Sequence, residues 1–207
     1  MIDAEDVVLV LLAAGRSSRF GMDNKLEAEF LGKPVGFHVT TALESIAFAD
    51  RIVVTDGCRL DFASRGYRPI HNADVGQGLS HSLQLGVREA MKTSPRAILV
   101  ALADMPRVTA AHIYRLFDAF EGPDAVVVSS NGEHPTPPGI FGSGRFEALL
   151  KLEGDEGARA LVAGGRHVVT APAELIDIDT PEDLERLRQL VHAPERKITR
   201  GGAHRSD

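Results

Sequence analysis

Three cationic side chains that follow the first apolar segment are the residues best suited to chemistry in this chain. Residues 7–11 form an unbroken, valine-rich apolar run, which is typical of a buried parallel strand. The run leads into a turn of small residues, which are Leu12, Ala13, Ala14 and Gly15. Arg16, Arg19 and Lys25 follow in the next loop. Small side chains let backbone N–H groups approach a ligand, and the cations can neutralise phosphates. The segment therefore predicts a triphosphate site at the carboxyl end of a strand.

Two common phosphate-binding motifs do not fit this segment. A Walker loop requires a Lys-Ser or Lys-Thr pair after its second glycine, whereas Gly21 is followed by Met22 and Asp23. The dinucleotide fingerprint requires three glycines at fixed spacing, and only Gly15 and Gly21 are present here. The simpler alternative is a glycine-containing turn whose basic residues are solvated.

A carboxylate follows a second buried segment. Residues 98–102 are apolar, and Asp104 comes just before Pro106, which ends the strand. Magnesium is often held by one or two carboxylates together with phosphate oxygens, so Asp104 is a candidate metal ligand. The alternative is a capping aspartate that organises the turn into a helix beginning near Thr109.

Glycines and serines open a predicted helix in residues 72–86. Free N–H groups at the start of that helix, with serine hydroxyls beside them, can bind a base edge, a ribose or an anion. Plain N-capping by Ser80 is the alternative, and both roles are compatible.

Two further aspartates lie close to the carboxyl end of the chain. Asp177 and Asp179 share one face if their segment is extended. Pro181 suits the first turn of a helix, with Thr180 as its N-cap and Asp183 three residues later. Electrostatic stabilisation of that helix start is the alternative role for the two aspartates.

The first loop resembles a known signature. Residues 12–25 resemble L-A-A-G-x-S-x-R-M-G-x-x-K, found in nucleotidyltransferases similar to the molybdenum cofactor cytidylyltransferases, with Phe20 in place of the usual Met. Residues 102–106 resemble the L-G-D-M-P motif of the same enzymes, with Ala103 in place of Gly.

Two later segments match the same family in the expected order. Residues 78–86 resemble G-x-S-x-S-L-x-x-G, and residues 177–183 resemble D-I-D-T-P-E-D. The resemblance covers residues 7–190. The chain is identified as a member of the MobA-like nucleotidyltransferase family, most similar to the molybdenum cofactor cytidylyltransferases.

The resemblance implies a role for each motif residue. The implied nucleotide-binding residues are Leu12, Ala13, Ala14, Gly15, Arg19, Lys25, Gly78 and Ser82, of which Gly78 and Ser82 would line the nucleobase pocket. The implied catalytic residues are Arg19, Lys25 and Asp104. Asp104 and Asp179 would hold Mg²⁺, with Asp177 as the alternative second ligand.

The resemblance also implies a substrate pair. Guanylyl-transferring relatives often carry L-A-G-G where this chain has L-A-A-G, and isoprenoid-pathway cytidylyltransferases carry a D-A-A-R-P element that residues 103–106 do not match. We therefore expect transfer of CMP from CTP to the phosphate of a molybdopterin-type acceptor, with release of pyrophosphate. Guanylyl transfer, another phosphorylated acceptor, and a non-catalytic cofactor chaperone serving a molybdoenzyme client are the alternatives.

Two segments between these motifs are implied to lie near the acceptor. Residues 134–141 correspond to a proline-rich loop of the family, and residues 152–159 to its G-D-x-G-A-R segment. His134 is a candidate acceptor contact.

The order of apolar and amphipathic segments indicates an α/β fold. The expected strands are residues 7–12, 51–55, 97–102, 125–129, 167–170 and 175–178. The expected helices are residues 35–45, 79–91, 110–120, 145–150, 157–163 and 181–190. This alternation predicts a mostly parallel sheet, and the resemblance implies a Rossmann-like three-layer α/β/α fold. We expect one domain over residues 1–190 and a disordered tail over residues 191–207.

Composition limits the possible partners. The chain has 207 residues and a net charge of −6, so its surface as a whole would repel nucleic acid. Cys58 is the only cysteine, which excludes an intrachain disulfide and a cysteine-based zinc cluster. The acidic amino terminus argues against a signal peptide, and no apolar run is long enough to cross a membrane. We expect a cytoplasmic protein without nucleic-acid or membrane partners.

Overall fold

A seven-stranded β-sheet runs through the centre of the computed structural model, which describes residues 1–15, 20, 24–153 and 161–192. The strands are β1 (Val7–Ala13), β2 (Glu29–Phe30), β3 (Lys33–Pro34), β4 (Asp50–Thr55), β5 (Arg68–His71), β6 (Ala97–Leu102), β7 (Val126–Ser130), β8 (Pro135–Gly142) and β9 (Arg166–Val169). Strands β2 and β3 form a separate hairpin. The order in the main sheet is β5-β4-β1-β6-β8-β7-β9. Only β8 runs antiparallel to its neighbours, so the expected mostly parallel sheet is confirmed.

Helices cover both faces of the sheet. They are α1 (Gly36–Ala42), α2 (Gly78–Met91), α3 (Ala110–Asp118), α4 (Phe146–Leu150) and α5 (Pro181–His192). Short 3₁₀ turns span Ala4–Asp6, Ala63–Arg65, Val75–Gln77, Ser143–Arg145 and Pro172–Leu175. Residues 161–163 are also helical, while the rest of the helix expected at 157–163 lies outside the described residues.

Strand β1 lies at the centre of the core. All seven of its residues are buried, which explains why its sequence is continuously apolar. Leu9 and Leu11 pack with side chains of α1 and α3 on one face. Val8 and Val10 pack with side chains of α2 and α4 on the other face. The strand therefore joins the two apolar layers of a three-layer α/β/α fold.

The amino end of α5 is held by a reciprocal cap. The Asp183 N–H donates to Thr180 Oγ1 at 3.2 Å, and the Thr180 N–H donates to Asp183 Oδ2 at 2.9 Å. The predicted N-cap is confirmed, with Asp in the position usually taken by Glu. This cap fixes the segment that carries Asp177 and Asp179 just before the helix.

The prediction of a strand over residues 175–178 is wrong. Pro172 starts a 3₁₀ turn that ends at Leu175, and irregular backbone follows it. Leu175 packs into the large core cluster, whereas Ile178 packs with Leu184 and Leu187 of α5 in a separate small cluster. The apolar residues that suggested a strand are therefore buried in two different clusters.

The proline-rich stretch at residues 134–141 is a strand and not the expected loop. Strand β8 pairs with β6 through residues 139–142 and with β7 over most of its length. The β7–β8 register shifts between Val128 and Ser129, and this irregularity accommodates Pro137 and Pro138. Prolines are tolerated at such a bulge because no ladder N–H is required there.

Strand β5 and the β2–β3 hairpin have no strong sequence signal. Strand β5 contains Pro69 and is largely exposed, and each strand of the hairpin is two residues long. Among the described residues, no helix combines the length and the apolar composition needed to span a membrane.

Candidate active site

A cavity of about 450 Å³ opens where β1 and β6 end side by side. Leu12 pairs with Leu102 in the parallel register, and the Ala103 N–H donates to the Leu12 carbonyl at 3.0 Å. The lining residues are Leu12, Ala13, Ala14, Gly15, Lys25, Leu26, Gly78, Leu79, Ser82, Leu102, Asp104, Asp177 and Asp179. Open α/β sheets bind ligands at this edge, and the residues of the predicted triphosphate site lie here.

The structure brings nine of the predicted site residues together in this cavity. They are Leu12, Ala13, Ala14, Gly15, Lys25, Gly78, Ser82, Asp104 and Asp179. Asp177, the alternative ligand, lies there too. Arg19 lies outside the described residues, as does most of the predicted acceptor segment at 152–159.

Lys25 bridges the two predicted metal carboxylates. Its Nζ lies 2.6 Å from Asp104 Oδ2 and 2.8 Å from Asp179 Oδ1. The Ile178 N–H donates to the Asp104 backbone carbonyl at 3.0 Å, which places the 177–179 segment against the end of β6. The Asp104 side chain is largely buried at 16% exposure, whereas Asp179 is 46% exposed.

The charges at this end of the cavity shift each other's protonation. Burial raises the pKa of Asp104 above its usual value, and Asp177 and Asp179 raise it further, while Lys25 opposes both effects. Burial by itself would lower the pKa of Lys25, but attraction to Asp104 and Asp179 outweighs burial and raises it. The lysine is therefore a firmly charged ammonium that partly neutralises an acidic cluster.

The carboxylates fit a magnesium ion that is shared with phosphates. Within the described ranges, no group of three or more His, Cys, Asp or Glu side chains is arranged to hold a metal alone. Magnesium does not require such a cage, since it binds through one or two carboxylates, phosphate oxygens and water. The buried Oδ1 of Asp104 has no hydrogen-bond partner among the described residues, so it is available to a cation.

The other end of the cavity is built from small and neutral residues. Gly78 has a φ of +79°, a backbone conformation that favours glycine. Ser82, on the first turns of α2, is buried at 2% exposure and accepts a hydrogen bond from Asn72 Nδ2 at 2.9 Å. The N-cap of α2 is Gln77, so Ser80 is not the cap considered from sequence. We call the part of the cavity that is lined by Lys25, Asp104, Asp177 and Asp179 its charged end, and the part that is lined by Gly78 and Ser82 its neutral end.

Asp56 is a residue of this region that sequence reasoning missed. It follows β4, and its Oδ2 accepts a hydrogen bond from the Gly15 N–H at 3.0 Å. A phosphate oxygen bound to that N–H would have to replace the Asp56 carboxylate. The available signal was its place directly after a buried strand, the same signal that identified Asp104.

A second cavity of about 310 Å³ adjoins the first and is mostly apolar. Both cavities are lined by Leu12, Leu79 and Leu102. Strand β8 contributes Pro135, Thr136, Pro137, Gly139 and Phe141. None of the described lining residues is charged, and His134 is exposed and does not line the cavity. The second cavity therefore suits a neutral part of a ligand.

A buried chain of hydrogen bonds supports the β8 wall of this second cavity. Arg115 Nη2 donates to His112 Nδ1 at 2.8 Å, and His112 Nε2 lies 2.6 Å from Ser129 Oγ. Ser129 Oγ donates to the Pro138 carbonyl at 2.6 Å, so His112 Nε2 must supply the proton to Ser129. Burial and the nearby Arg115 lower the pKa of His112. The imidazole is therefore held neutral in one tautomer.

Known proteins resemble this chain over most of its length. Residues 9–171 match the family model described as the MobA-like NTP transferase domain. The chain is 34% identical to the purine catabolism protein PucB of Bacillus subtilis (strain 168) in an alignment that covers 88% of this chain and 96% of PucB. It is 31% identical to a phosphoenolpyruvate guanylyltransferase of Sphaerobacter thermophilus in an alignment that covers 76% of this chain and 77% of that protein.

The fold has solved counterparts. A nucleotidyl transferase from Methanothermobacter thermautotroptrophicus superposes with a TM-score of 0.73 at 26% identity, covering 89% of this chain and 96% of that one. The chain belongs to the MobA-like NTP transferase family.

Proposed function

We propose that this nucleotidyltransferase transfers CMP from CTP to the phosphate of a molybdopterin-type acceptor. The observation that carries the proposal is one cavity that unites a small-residue turn, a lysine and three carboxylates at the carboxyl ends of β1 and β6. An acceptor phosphate oxygen attacks the α-phosphorus of CTP, and the bond to the leaving pyrophosphate breaks. An ionised phosphate is already a nucleophile, so no general base is required.

Asp104 and Asp179 are the proposed holders of Mg²⁺, with Asp177 as the alternative second ligand. Bound Mg²⁺ would supply positive charge that offsets repulsion between the α-phosphate and the incoming phosphate. Asp104 is the more buried member of the pair, while the more exposed Asp179 belongs to the segment before α5. The two residues therefore come from different elements that meet at one site.

Lys25 is proposed to stabilise the leaving pyrophosphate. Among the described residues its ammonium group is held by the carboxylates, so it already lies beside the proposed metal ligands. With those carboxylates engaged by a divalent ion, the flexible stem of Lys25 would let its ammonium turn to phosphate oxygens. Arg19 is proposed to act beside it. Positioning and electrostatic stabilisation then account for catalysis.

The proposed preference for CTP depends on the neutral end of the cavity. The methyl group of Ala14 narrows the space beside the backbone and favours a pyrimidine over a purine. Ser82 is proposed to hydrogen-bond the cytosine edge, and Gly78 leaves its backbone open to the base. A difference of methylene size is worth about 1–3 kcal/mol, so we expect a clear preference with residual GTP binding.

The second cavity is proposed to receive the non-phosphate part of the acceptor. It joins the first cavity, so an acceptor could lie against β8 while its phosphate reaches the charged end. The guanylyltransferase relative favours a second candidate, guanylyl transfer to a small anionic acceptor. The uncharged lining in the described residues argues against that acceptor class. Cytoplasmic location and delivery of product to a molybdoenzyme client remain parts of the proposal.

Pyrophosphate release tests the proposed function directly. Each of the four nucleoside triphosphates is incubated with Mg²⁺, with and without molybdopterin that carries its metal. The proposal expects release with CTP only when the acceptor is present. Faster release with GTP would favour the guanylyl alternative. Tight CTP binding with no release would instead identify a non-catalytic binding protein.

A further inference from the structure

Asn72 is a buried residue beside the neutral end of the first cavity, and its side-chain amide is fixed at both ends. The residue is 2% exposed and lies between β5 and α2. Its backbone N–H donates to the Thr55 carbonyl at 2.7 Å, which ties it to the end of β4. Its Oδ1 accepts the Asp74 N–H at 2.9 Å, and its Nδ2 donates to Ser82 Oγ at 2.9 Å.

The Asp74 N–H settles which way the Asn72 amide faces. A backbone N–H can only donate, so the atom opposite it must be the amide oxygen. The amide nitrogen must then face Ser82 and donate to its hydroxyl oxygen. An inverted amide would place two donors against each other at the backbone and would leave both buried groups unsatisfied.

This orientation determines what Ser82 can offer to a ligand. A serine hydroxyl has one proton to donate, and here its oxygen already accepts the Asn72 amide. The described residues give that proton no acceptor, although Ser82 is buried and lines the cavity. A ligand atom that accepts a hydrogen bond would satisfy the proton, whereas a ligand donor would leave it unmatched.

We propose that Asn72 is a specificity-determining positioning residue, which orients Ser82 as a hydrogen-bond donor toward acceptor atoms of the nucleobase. The inference rests on the proposed function, in which this end of the cavity holds the base. Cytosine presents two neighbouring acceptors, N3 and O2, on its pairing edge. Guanine presents only O6 there, beside the N1–H and N2–H donors. The Asn72–Ser82 pair therefore favours CTP over GTP.

The decisive variant is Asn72→Asp, because it changes hydrogen-bond polarity and almost no volume. One carboxylate oxygen still accepts the hydrogen bond from the Asp74 N–H. The other oxygen can only accept, so the Ser82 hydroxyl now donates its proton to it. Ser82 then presents lone pairs to the base, which suits guanine better. The dissociation constants of CTP and GTP are measured by calorimetry at pH 8, where the new carboxylate is ionised. We expect the ratio of the GTP constant to the CTP constant to fall at least tenfold.

Two further variants separate recognition from damage to the fold. Asn131→Asp is the matched control, since Asn131 Oδ1 also accepts backbone N–H groups, in the turn between β7 and β8. This control variant should leave the ratio of the GTP to the CTP dissociation constant unchanged. Ser82→Ala should lower the ratio by itself and should make Asn72→Asp ineffective when the two are combined.

The outcomes distinguish this inference from the proposed function. Equal loss of CTP and GTP affinity in Asn72→Asp, with wild-type preference for CTP intact, would overturn the role of Asn72 alone. Wild-type protein that binds neither triphosphate would overturn the proposed function itself. Thermal unfolding of each variant shows whether a loss of nucleotide affinity is accompanied by a loss of stability.

Discussion

Asp104 and Asp179 are partners of Lys25 among the described residues, and the phosphates of a bound nucleotide would have to replace them. Its ammonium neutralises Asp104 and Asp179 at 2.6 and 2.8 Å. The same charge is expected to bind the β- and γ-phosphates when the nucleotide is present. A metal ion at these carboxylates would free the ammonium for the phosphates, so we expect metal binding and triphosphate binding to strengthen each other.

We expect Lys25→Met to weaken CTP binding much more than CMP binding. A charge-assisted contact contributes about 1.5–3 kcal/mol, which is roughly ten- to a hundredfold in affinity. Removal of the ammonium also leaves the carboxylates without that counter-ion, so Mn²⁺ alone should bind more tightly than to the wild type. Calorimetry with CTP, CMP and Mn²⁺ measures all three effects. Lys92→Met, at an exposed site, is the control. Equal losses for CTP and CMP would place Lys25 away from the phosphates.

The two aspartates before α5 should differ in importance. Asp179 contacts Lys25, whereas no direct contact between Asp177 and Lys25 occurs among the described residues, and Asp177 is exposed. We therefore expect Asp179→Asn to lower Mg²⁺-dependent turnover more than Asp177→Asn. Initial rates across a Mg²⁺ titration provide the comparison. The reverse order would identify Asp177 as the second ligand.

At the scale of elements, α2 is positioned by a close approach to β1. A Cβ added at Gly86 would lie 2.4 Å from Val10 Cγ1 and 3.2 Å from Val54 Cγ2, and both valines are buried. This contact gives a physical reason for the final glycine of the G-x-S-x-S-L-x-x-G pattern. It also fixes the helix that carries Ser82.

Gly86→Ala should therefore destabilise the protein by about 1–3 kcal/mol, which is the usual cost of overpacking a core. A downward shift of the thermal midpoint, by about 2–4 °C per kcal/mol, is the readout. Gly164→Ala is the matched control, since a Cβ at Gly164 would meet nothing within 4 Å. Similar midpoints for both variants would show that α2 can move away from β1.

The free energy of unfolding should fall in acid, because the His112 that supports strand β8 is held in its neutral form. Burial and Arg115 lower its pKa in the folded protein, while the unfolded value stays near 6.5. The folded state then binds fewer protons, so stability is complete above about pH 6.5 and is lost as pH falls toward the folded pKa. The slope is at most about 1.4 kcal/mol per pH unit.

Urea unfolding at pH 7.5, 6.5 and 5.5 measures this slope for the wild type and for His112→Gln. The variant keeps a donor near Ser129 but has no imidazole to protonate, so it should lose less stability between pH 6.5 and 5.5. An identical pH dependence of the unfolding free energy in both proteins would show that His112 does not cause the loss of stability.

Over the whole molecule, the features that could be predicted from the sequence are those that follow from a local pattern of residues. The Leu12–Gly15 turn and Asp104 were found because each follows a buried apolar strand, and parallel strands align such ends at one edge. The capping box at Thr180 is equally local. Asn72 was not singled out, because its hydrogen bonds join residues that acquire meaning only after β5 and α2 are placed.

The failures also have physical causes. The family resemblance implied a proline-rich loop at residues 134–141, yet this stretch is strand β8, and Pro137 and Pro138 occupy the register shift opposite Ser129. Leu175 and Ile178 were predicted to lie in one strand because both are apolar, but they are buried in separate clusters. The ion pairs of Lys25 could not be predicted from the sequence, because Asp104 and Asp179 are 79 and 154 residues away along the chain. Cations in such a loop indicate phosphate binding instead.

Pyrophosphate release by Asp104→Asn is the most direct test of the central claim, that the cavity between β1 and β6 is a magnesium-dependent transfer site. The amide preserves the shape of the side chain but removes the charge that would hold the ion. With CTP and the molybdopterin acceptor at limiting Mg²⁺, we expect the variant to be folded and to release pyrophosphate at a rate a hundredfold or more below that of the wild type. A rate near that of the wild type under those conditions would contradict the claim.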